Sequence, residues 1–365
     1  MKRILRLTAL AMALSMLMTA VSCVNDSNTT EEGDALMTDT ANTTMTGEPP
    51  EALETVAFET VDNRKTETVA GGYKIDMGDL VQVYFEEHPE WVELYNKSWQ
   101  LHKSKIQRIP AATNPETPYY VDEAFCENIF VWDTIFMMLY DRYGMNQFPI
   151  LSSLENFYYC QLDSKGLGNG YIPREIIEKT GKDFWNGFTD PTSTNPPLFS
   201  WAEWSCYMIH GDVSRFSKEI NGKTIYQRLC DHYEFIEKNK KSKFGLYGKT
   251  NGLGTGLDDS PNQGSGQLYN SLSIQQAQNA YYLSLIASAM GNKKDADFYM
   301  SEHKRISALI NENMWNEENS MYSNLTASGE QTNISTPTSL WALVGRVATA
   351  ERAEKMINNQ ALNAD

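Results

Sequence analysis

The chain has 365 residues, 31 basic and 47 acidic, and its formal net charge at pH 7 is −16. Binding of nucleic acid requires clustered lysine and arginine, so this acidic excess argues against a nucleic-acid partner. The five cysteines include no C-x-x-C pair and no histidine at ligand spacing. We therefore expect no zinc site and assign no metal ligands. We expect free, buried thiols at Cys126, Cys160, Cys206 and Cys230, with one or two disulfides as the alternative. No glycine-rich phosphate loop follows a strand, so we expect no cofactor.

The N-terminus has the pattern of an export signal. Three basic residues precede an apolar run over 7–21, and "TAVSC" places small residues before Cys23. This pattern predicts a signal peptide over 1–23. A cysteine at the cleavage point resembles the lipobox of bacterial lipoproteins, with Ala20 where that motif usually has leucine. The resemblance implies lipidation of Cys23 and a lipid-anchored protein of the bacterial cell envelope. An ordinary signal peptide with a chance cysteine is the alternative.

Residues 24–75 are rich in Asn, Thr, Glu, Asp and Gly and show little apolar periodicity. Such a composition is typical of disorder, so we assign this segment as a tether. The folded domain is predicted to occupy 76–365.

The folded part shows helical periodicity and no convincing run of alternating strand residues. Segment 127–143, "ENIFVWDTIFMMLYDRY", is apolar on nearly every side, as a buried helix is, and Gly144 is expected to end it. The predicted helices are nine: 81–106, 127–143, 150–162, 198–210, 214–239, 272–290, 295–315, 336–347 and 350–359.

Short connections such as "MGNKKD" alternate with long, aromatic-rich loops. This alternation is typical of α-solenoids and of α/α toroids. The tetratricopeptide solenoid repeats about every 34 residues, and no such repeat is visible here. Unequal repeat lengths favour the toroid.

Two charged sites are candidates for function. Asp133 lies in "FVWDTIF", an otherwise apolar helix start. Because a buried, unpaired carboxylate is costly, Asp133 is expected to pair with a cation or face a polar cavity, unless it is an ordinary capping or salt-bridged residue. Arg174 and Glu175 lie in the loop "NGYIPREI". Arginine can hold hydroxyls through its planar donors while glutamate orients it, and an exposed charged pair is the alternative.

Two further segments combine aromatic and acidic residues. Trp201 and Trp204 follow two prolines in "NPPLFSWAEW". Indole faces suit stacking on a sugar, although this spacing equally suits a helical core. Asp258 and Asp259 lie in "GTGLDDSPNQG", a glycine-rich segment predicted to be a loop, where chemistry is often found. Of two carboxyls that come close, one can have a raised pKa, as a general acid near neutral pH requires.

Six segments occur in an order known from a clan of inverting glycoside hydrolases: "FVWDT", "GYIPRE", "NPPLFSW", "GLDDSP", "LSIQQAQNAYYLSLIASAMG" and "TSLWALVGRVATAERAEKMI". Over roughly residues 80–360 the chain resembles this clan, which contains trehalases, processing α-glucosidase and mannosylglycerate hydrolase, and it is similar to glycoside hydrolase family 63. The resemblance implies an all-α fold, the (α/α)6 toroid of six-hairpin glycosidases, with a pocket at its axis. Nine of the twelve helices of that toroid are visible in the sequence.

The resemblance also implies roles for individual residues. Asp258 matches the general acid of a G-x-D-x-S loop. We interpret Asp259 as an orienting or hydrogen-bonding residue, with a structural role as the alternative. Trp132 and Asp133 match a pair that holds the terminal sugar. Arg174 and Trp201 are further candidates for the pocket. The chain departs from trehalases at Cys126 and Glu127, where an arginine is usual, and at 254–256, where Glu-Ser-Gly is usual, so strict trehalose specificity is not expected.

An inverting glycosidase needs a second carboxylate, about 6.5–9.5 Å from the first, to activate water. In the resembling families this base is a glutamate near the C-terminal end of the toroid. No late glutamate of this chain lies in a similar context: Glu317, Glu318, Glu330, Glu351 and Glu354. We therefore expect the base to lie beyond Asp365, in a longer enzyme.

The resemblance implies an exo-acting, inverting glycoside hydrolase that removes a terminal α-linked glucose or mannose. The expected partners are a carbohydrate substrate and, through the lipid anchor, a membrane. One alternative is a non-catalytic sugar-binding lipoprotein that has lost its base. Another is a degenerate scaffold that binds no glycan.

Overall fold

A computed structural model describes residues 66–109, 118–122, 126–163, 168–185, 194–249, 255–257, 267–332, 334 and 336–358. All of them lie in the unit Lys65–Asp365, and none lies in the unit Met1–Arg64. Cys23 and the signal peptide are therefore outside the described residues, and so are Asp258 and Asp259.

Each of the nine predicted helices has a counterpart among the described residues, which confirms the all-α class. The helices are α1 (Pro89–Ser104), α2 (Val131–Asp141), α3 (Ile150–Tyr159), α4 (Phe199–His210), α5 (Ile225–Lys240), α6 (Asn270–Ala289), α7 (Lys293–Asn313), α8 (Trp341–Val344) and α9 (Ala350–Met356). Within the described ranges, no helix is both long and apolar enough to span a bilayer.

The helices are arranged in two layers. Helix α2 packs against α4, α4 against α6, and α6 against α8. The even-numbered helices therefore form a continuous inner wall. Helices α3, α5 and α7 flank this inner wall, each packed on one of its members. Such alternation of inner and outer helices is the packing of an α/α toroid, as predicted. Helix α6 lies deepest, because every residue from 270 to 280 is buried.

Short antiparallel strands join the loops at the helix ends. They pair as β1 (Glu67–Thr68) with β2 (Lys74–Ile75), β3 (Ile106–Arg108) with β4 (Tyr119–Val121), β5 (Asn128–Phe130) with β6 (Glu175–Ile177) and β6 with β7 (Lys182–Asp183), β8 (Glu219–Ile220) with β9 (Lys223–Thr224), β10 (Gly248–Lys249) with β11 (Gln267–Leu268), and β12 (Trp315–Asn316) with β13 (Met321–Tyr322). Strands of two or three residues are too short to show alternation, which is why periodicity does not reveal them. The β1–β2 hairpin lies within the segment assigned as tether.

Three helix boundaries differ from the sequence-based ones for local reasons. Helix α1 begins only at Pro89, because a proline at the first helical position marks a start. Helix α2 begins at Val131, because residues 128–130 are held in strand β5. The segment 214–239 is divided by the β8–β9 hairpin, and α5 then starts at Ile225 behind a capping box of Thr224 and Gln227.

A buried ion network fastens α4 to α3. Arg215 donates to both carboxylate oxygens of Glu203 on α4, at 3.0 and 2.8 Å, and also to Glu155 on α3. None of the three side chains is more than 5% exposed. Lys218 donates to Glu155 at 2.7 Å and Tyr158 to Glu203 at 2.9 Å, so both carboxylates have partners. The network fixes the outer side of α4 and leaves its opposite side for the ring interior.

The four cysteines in the described ranges are free thiols. Cys206 is buried, and burial raises the pKa of its thiol to about 12. Cys160 and Cys230 are partly buried. The expectation of a buried thiol is wrong for Cys126, which is exposed where the chain enters β5.

Candidate functional site

Three tryptophans from three inner helices meet in one cluster. Trp132 lies in the first turn of α2, Trp201 in the first turn of α4, and Trp341 is the first residue of α8. The ring of Trp341 lies edge-on, 5.8 Å from Trp132 and 5.7 Å from Trp201 between centroids. Phe136 packs among them, 4.7 Å from Trp132 and 6.0 Å from each of the others. We call these four side chains the tryptophan cluster.

The cluster is open on one side. Trp201 and Trp341 are 3% and 6% exposed, whereas Trp132 is only partly buried. Trp201 therefore occupies the core-like position that the sequence left open as an alternative. Trp132 and Phe136 are the members that keep part of their ring exposed. An indole with one accessible face is suited to stacking on the C–H face of a sugar.

The backbone of the acidic loop lies against Trp132. A Cβ atom built on Gly256 would be 2.2 Å from Cδ2 and 2.3 Å from Cε3 of that indole. The φ angle of Gly256 is +76°, which favours glycine. Asp258 follows Gly256 in the sequence and is outside the described residues. The contact therefore concerns the described start of the loop, and the role of Asp258 stays a prediction.

Asp133 lies at the N-terminal end of α2, beside Trp132. Its side chain is exposed, so the burial that motivated a paired or cavity-facing carboxylate does not apply. Helix dipoles stabilise acidic groups in the first turn. An exposed carboxylate beside Trp132 agrees with a ligand-binding role for Asp133. That role stays a prediction.

Arg174 is held next to the start of α2. Its carbonyl oxygen accepts hydrogen bonds from the backbone N–H of Val131 at 3.0 Å and from Nδ2 of Asn195 at 3.2 Å. The side chain is 7% exposed, and its guanidinium carbon lies 4.0 Å from the ring centroid of Trp185. The exposed-pair alternative is thus wrong for Arg174, because the loop is folded onto the β5–β6–β7 sheet.

Glu175 supports the guanidinium of Arg174 indirectly, through Trp185. Its two oxygens accept from Nδ2 of Asn128, at 2.6 Å, and from Nε1 of Trp185, at 2.5 Å. The carboxylate therefore fixes the indole, and the indole supports the guanidinium of Arg174 through a cation–π contact. The sequence suggested that Glu175 orients Arg174, but it did not identify Trp185 as the intermediate.

Trp341 and Trp185 are the residues of this region that sequence reasoning missed. A signal for Trp341 was present, since "VWDT", "FSWAEW" and "LWALV" each place a tryptophan in the first turn of an inner helix. Recognising it requires knowing which helices are inner. Trp185 carried no comparable signal, because its contact depends on the pairing of β6 with β7.

The helical double ring and an aromatic cluster at one end of its inner helices define a toroidal glycosidase-like domain. Residues 154–363, more than half of the chain, match the family described as "Mannosylglycerate hydrolase MGH1-like glycoside hydrolase domain". The chain belongs to this family, which confirms the resemblance to the clan of glycoside hydrolase family 63. The match contains Arg174, Trp201 and Asp258 and begins after Trp132 and Asp133.

The chain is also similar to a curated protein and to solved structures. An uncharacterized protein of Borreliella burgdorferi is 23% identical over 282 residues, which cover 76% of this chain and 55% of the relative. The chain thus spans about half the length of the curated relative that it matches. The GH63 mannosylglycerate hydrolase from Thermus thermophilus, in complex with Tris and D-glycerate, aligns with a TM-score of 0.53 at 12% identity over 68% of this chain and 73% of that one. The GH78 family rhamnosidase of Bacillus sp. GL1 aligns with a TM-score of 0.51 at 15% identity over 66% and 23%. At these identities the structural matches confirm the toroidal fold alone.

Proposed function

We propose that the mature protein is an exo-acting glycoside hydrolase that removes a terminal α-linked glucose or mannose with inversion. Asp258 donates a proton to the departing oxygen, while Trp132 and Asp133 hold the terminal sugar and Asp259 orients the acid. The supporting observation is the contact between Gly256 and the ring of Trp132. It brings Gly256, at the described start of that loop, against the indole that this proposal assigns to the sugar.

Under this proposal Arg174 is a further candidate for the pocket. A guanidinium fixed over an indole is a preorganised donor for hydroxyls or for a carboxylate. The Thermus neighbour is named for mannosylglycerate and contains D-glycerate, which carries a carboxylate. Mannosylglycerate is therefore the first substrate to test, followed by neutral α-mannosides and α-glucosides.

The protein acts at the cell envelope under this proposal. The "TAVSC" segment supports lipidation of Cys23, and the polar stretch after it supports a tether to the catalytic domain. Mass spectrometry of the membrane fraction tests this directly. We expect a diacylated N-terminal Cys23 and a soluble, unacylated protein for Cys23→Ala.

The proposed acid is tested with the full gene product and the matched pair Asp258→Asn and Asp259→Asn. General acid catalysis contributes about 10²–10⁴ in rate. We expect Asp258→Asn to lose about that factor on mannosylglycerate, and Asp259→Asn to lose much less. On a dinitrophenyl α-mannoside, whose leaving group needs no proton, Asp258→Asn should keep most of its activity.

The first-formed anomer, followed by NMR, distinguishes inversion from retention. Equal losses for Asp258→Asn on both kinds of leaving group would contradict the acid assignment. If the wild-type protein binds these sugars but hydrolyses none, the non-catalytic sugar-binding alternative is the better account.

A further inference from the structure

Two large aromatic side chains lie exposed directly after strand β7. Phe184 is 48% exposed and Trp185 is 37% exposed. Their ring centroids are 5.3 Å apart and the ring planes are inclined at 69°, so the two rings form one continuous apolar surface. We call these two side chains the aromatic pair. Single exposed apolar residues are common, whereas adjoining ones can mark a binding site.

The indole of Trp185 is exposed but fixed in position. Its Nε1 donates to a carboxylate oxygen of Glu175, and its backbone N–H donates to Asp183 at 2.9 Å. The guanidinium carbon of Arg174 lies 4.0 Å from the ring centroid. Arg174 and Glu175 are 7% and 5% exposed, so the side chains that hold the ring are themselves buried. The orientation of this exposed ring is therefore set from inside the fold.

These contacts leave one part of the indole accessible. The guanidinium of Arg174 covers one face and Glu175 binds the Nε1 edge, so the exposed area belongs to the opposite face and the remaining edge. A mobile side chain loses rotamer freedom when it stacks on a ligand, whereas a fixed one has already lost it. The indole of Trp185 is therefore preorganised for stacking.

The pairing of β5 with β6 connects the aromatic pair to the start of α2. Phe130 of β5 lies opposite Glu175 of β6, and the Cα atoms of such partners are about 4.5–5.5 Å apart. Trp132 follows Phe130 by two residues, which span at most about 7 Å. The Cα atoms of Glu175 and Trp132 are thus within about 13 Å of each other. A short oligosaccharide covers such a distance.

We propose that the aromatic pair stacks on a sugar unit of the leaving group, so that the substrate is an oligosaccharide that continues beyond the cleaved bond. The inference rests on the proposed function, because the terminal sugar is the one assigned there to Trp132. Sugar rings present apolar C–H faces that pack on an indole. Glycerate has no ring to stack, so the aromatic pair favours an oligosaccharide over mannosylglycerate.

Oxidation of tryptophan by N-bromosuccinimide, mapped to single residues by mass spectrometry, tests contact with the ring. The probes are α-mannotriose and maltotriose, at concentrations that calorimetry shows to be saturating, compared with mannose and glucose. The full gene product with Asp258→Asn is used, so that the trisaccharides are not consumed. Trp91 on α1 is the internal control, because it is 56% exposed and lies outside the aromatic pair and the tryptophan cluster. We expect the better trisaccharide to slow the oxidation of Trp185 but not of Trp91, and the single sugars to protect neither.

Trp185→Ala and Trp91→Ala form a matched pair of variants. We expect Trp185→Ala to weaken the Kd for the better trisaccharide about tenfold, as for the loss of one aromatic contact, and Trp91→Ala to leave it unchanged. Because Trp185→Ala also removes a contact of Arg174, Phe184→Ala is measured as well. It keeps the contacts of Trp185 with Arg174 and Glu175 and should weaken the same Kd by a smaller factor. Thermal unfolding shows whether each variant is folded.

A trisaccharide that binds but leaves Trp185 unprotected overturns this inference and leaves the proposed function standing. An unchanged Kd in both Trp185→Ala and Phe184→Ala also overturns it. Protection of Trp185 by a single sugar overturns it too, because the terminal sugar would then lie at the aromatic pair. If the protein binds neither the trisaccharides nor the single sugars, both this inference and the proposed function fail.

Discussion

Replacing Gly256 by alanine tests whether the acidic loop is seated on Trp132. A Cβ atom there would penetrate the indole, with distances of 2.2, 2.3 and 2.7 Å to three ring carbons. The ring is confined by Phe136 and Trp341, so the strain is not relieved by a simple rotation. Overpacking of this kind costs about 1–3 kcal/mol. The positive φ adds about 1–2 kcal/mol for any L-residue.

Gly291 provides a matched control. Its φ is +77°, against +76° for Gly256, but no atom lies within 4 Å of the added Cβ. Gly291→Ala should therefore cost only the backbone part, about 1–2 kcal/mol. Gly256→Ala should cost about 2–5 kcal/mol in all, unless the loop lifts from the ring and loses activity instead.

Urea unfolding, tryptophan fluorescence and hydrolysis of mannosylglycerate are measured for both variants. We expect Gly256→Ala to lose more stability than Gly291→Ala or to lose activity that Gly291→Ala retains. The fluorescence of the native state should change only for Gly256→Ala, because only that substitution disturbs an indole. Equal stabilities, spectra and activities for the two variants would refute the packing of Gly256 on Trp132.

Two further predictions concern buried charge. Arg215→Met should destabilise the fold by about 3–5 kcal/mol in urea unfolding, because Glu155 and Glu203 would stay buried without their main partner. Lys218→Met, at an exposed edge of the network, should cost under about 1 kcal/mol. Similar costs for the two variants would argue against the network. Burial lowers the pKa of His232 from 6.5 to about 4. Below pH 6.5 the unfolded chain therefore binds a proton at this histidine that the folded chain does not bind. Stability is lost as the pH falls from about 6.5 to about 4. Over that range, wild type should lose about 3 kcal/mol more than His232→Gln, and parallel pH profiles would show that this histidine is not buried neutral.

The helical class was predictable because the signal is local. The apolar periodicity of α2 and of the later helices is contained in each segment, and the order of motifs identified the family before any contact was known. Trp132 and Trp201 were found from the same motifs. Each of these predictions depended on residues that are neighbours in the sequence.

The pairing of distant segments was not predictable. Strand β5 takes residues 128–130 out of the expected helix because residues 175–177 pair with them, far along the chain. Gln276 of α6 donates to the carbonyl oxygen of Tyr233 and to Glu237 of α5, and this contact depends on which helices flank α6. A buried helix that carries glutamines on several faces does not reveal in its sequence which face is enclosed by outer helices and which faces the axis.

The contact between Gly256 and Trp132 has a kinetic consequence. Under the proposed function, one indole both stacks on the sugar and supports the backbone two residues before the acid. Truncating it would weaken substrate binding and displace the proton donor in a single step, so KM would rise and kcat would fall together. Trp132→Ala is thus unsuitable for measuring the sugar-stacking contribution alone. Trp132→Phe separates the two effects better, because it keeps an aromatic ring in contact with Gly256 while reducing the ring area available to the sugar.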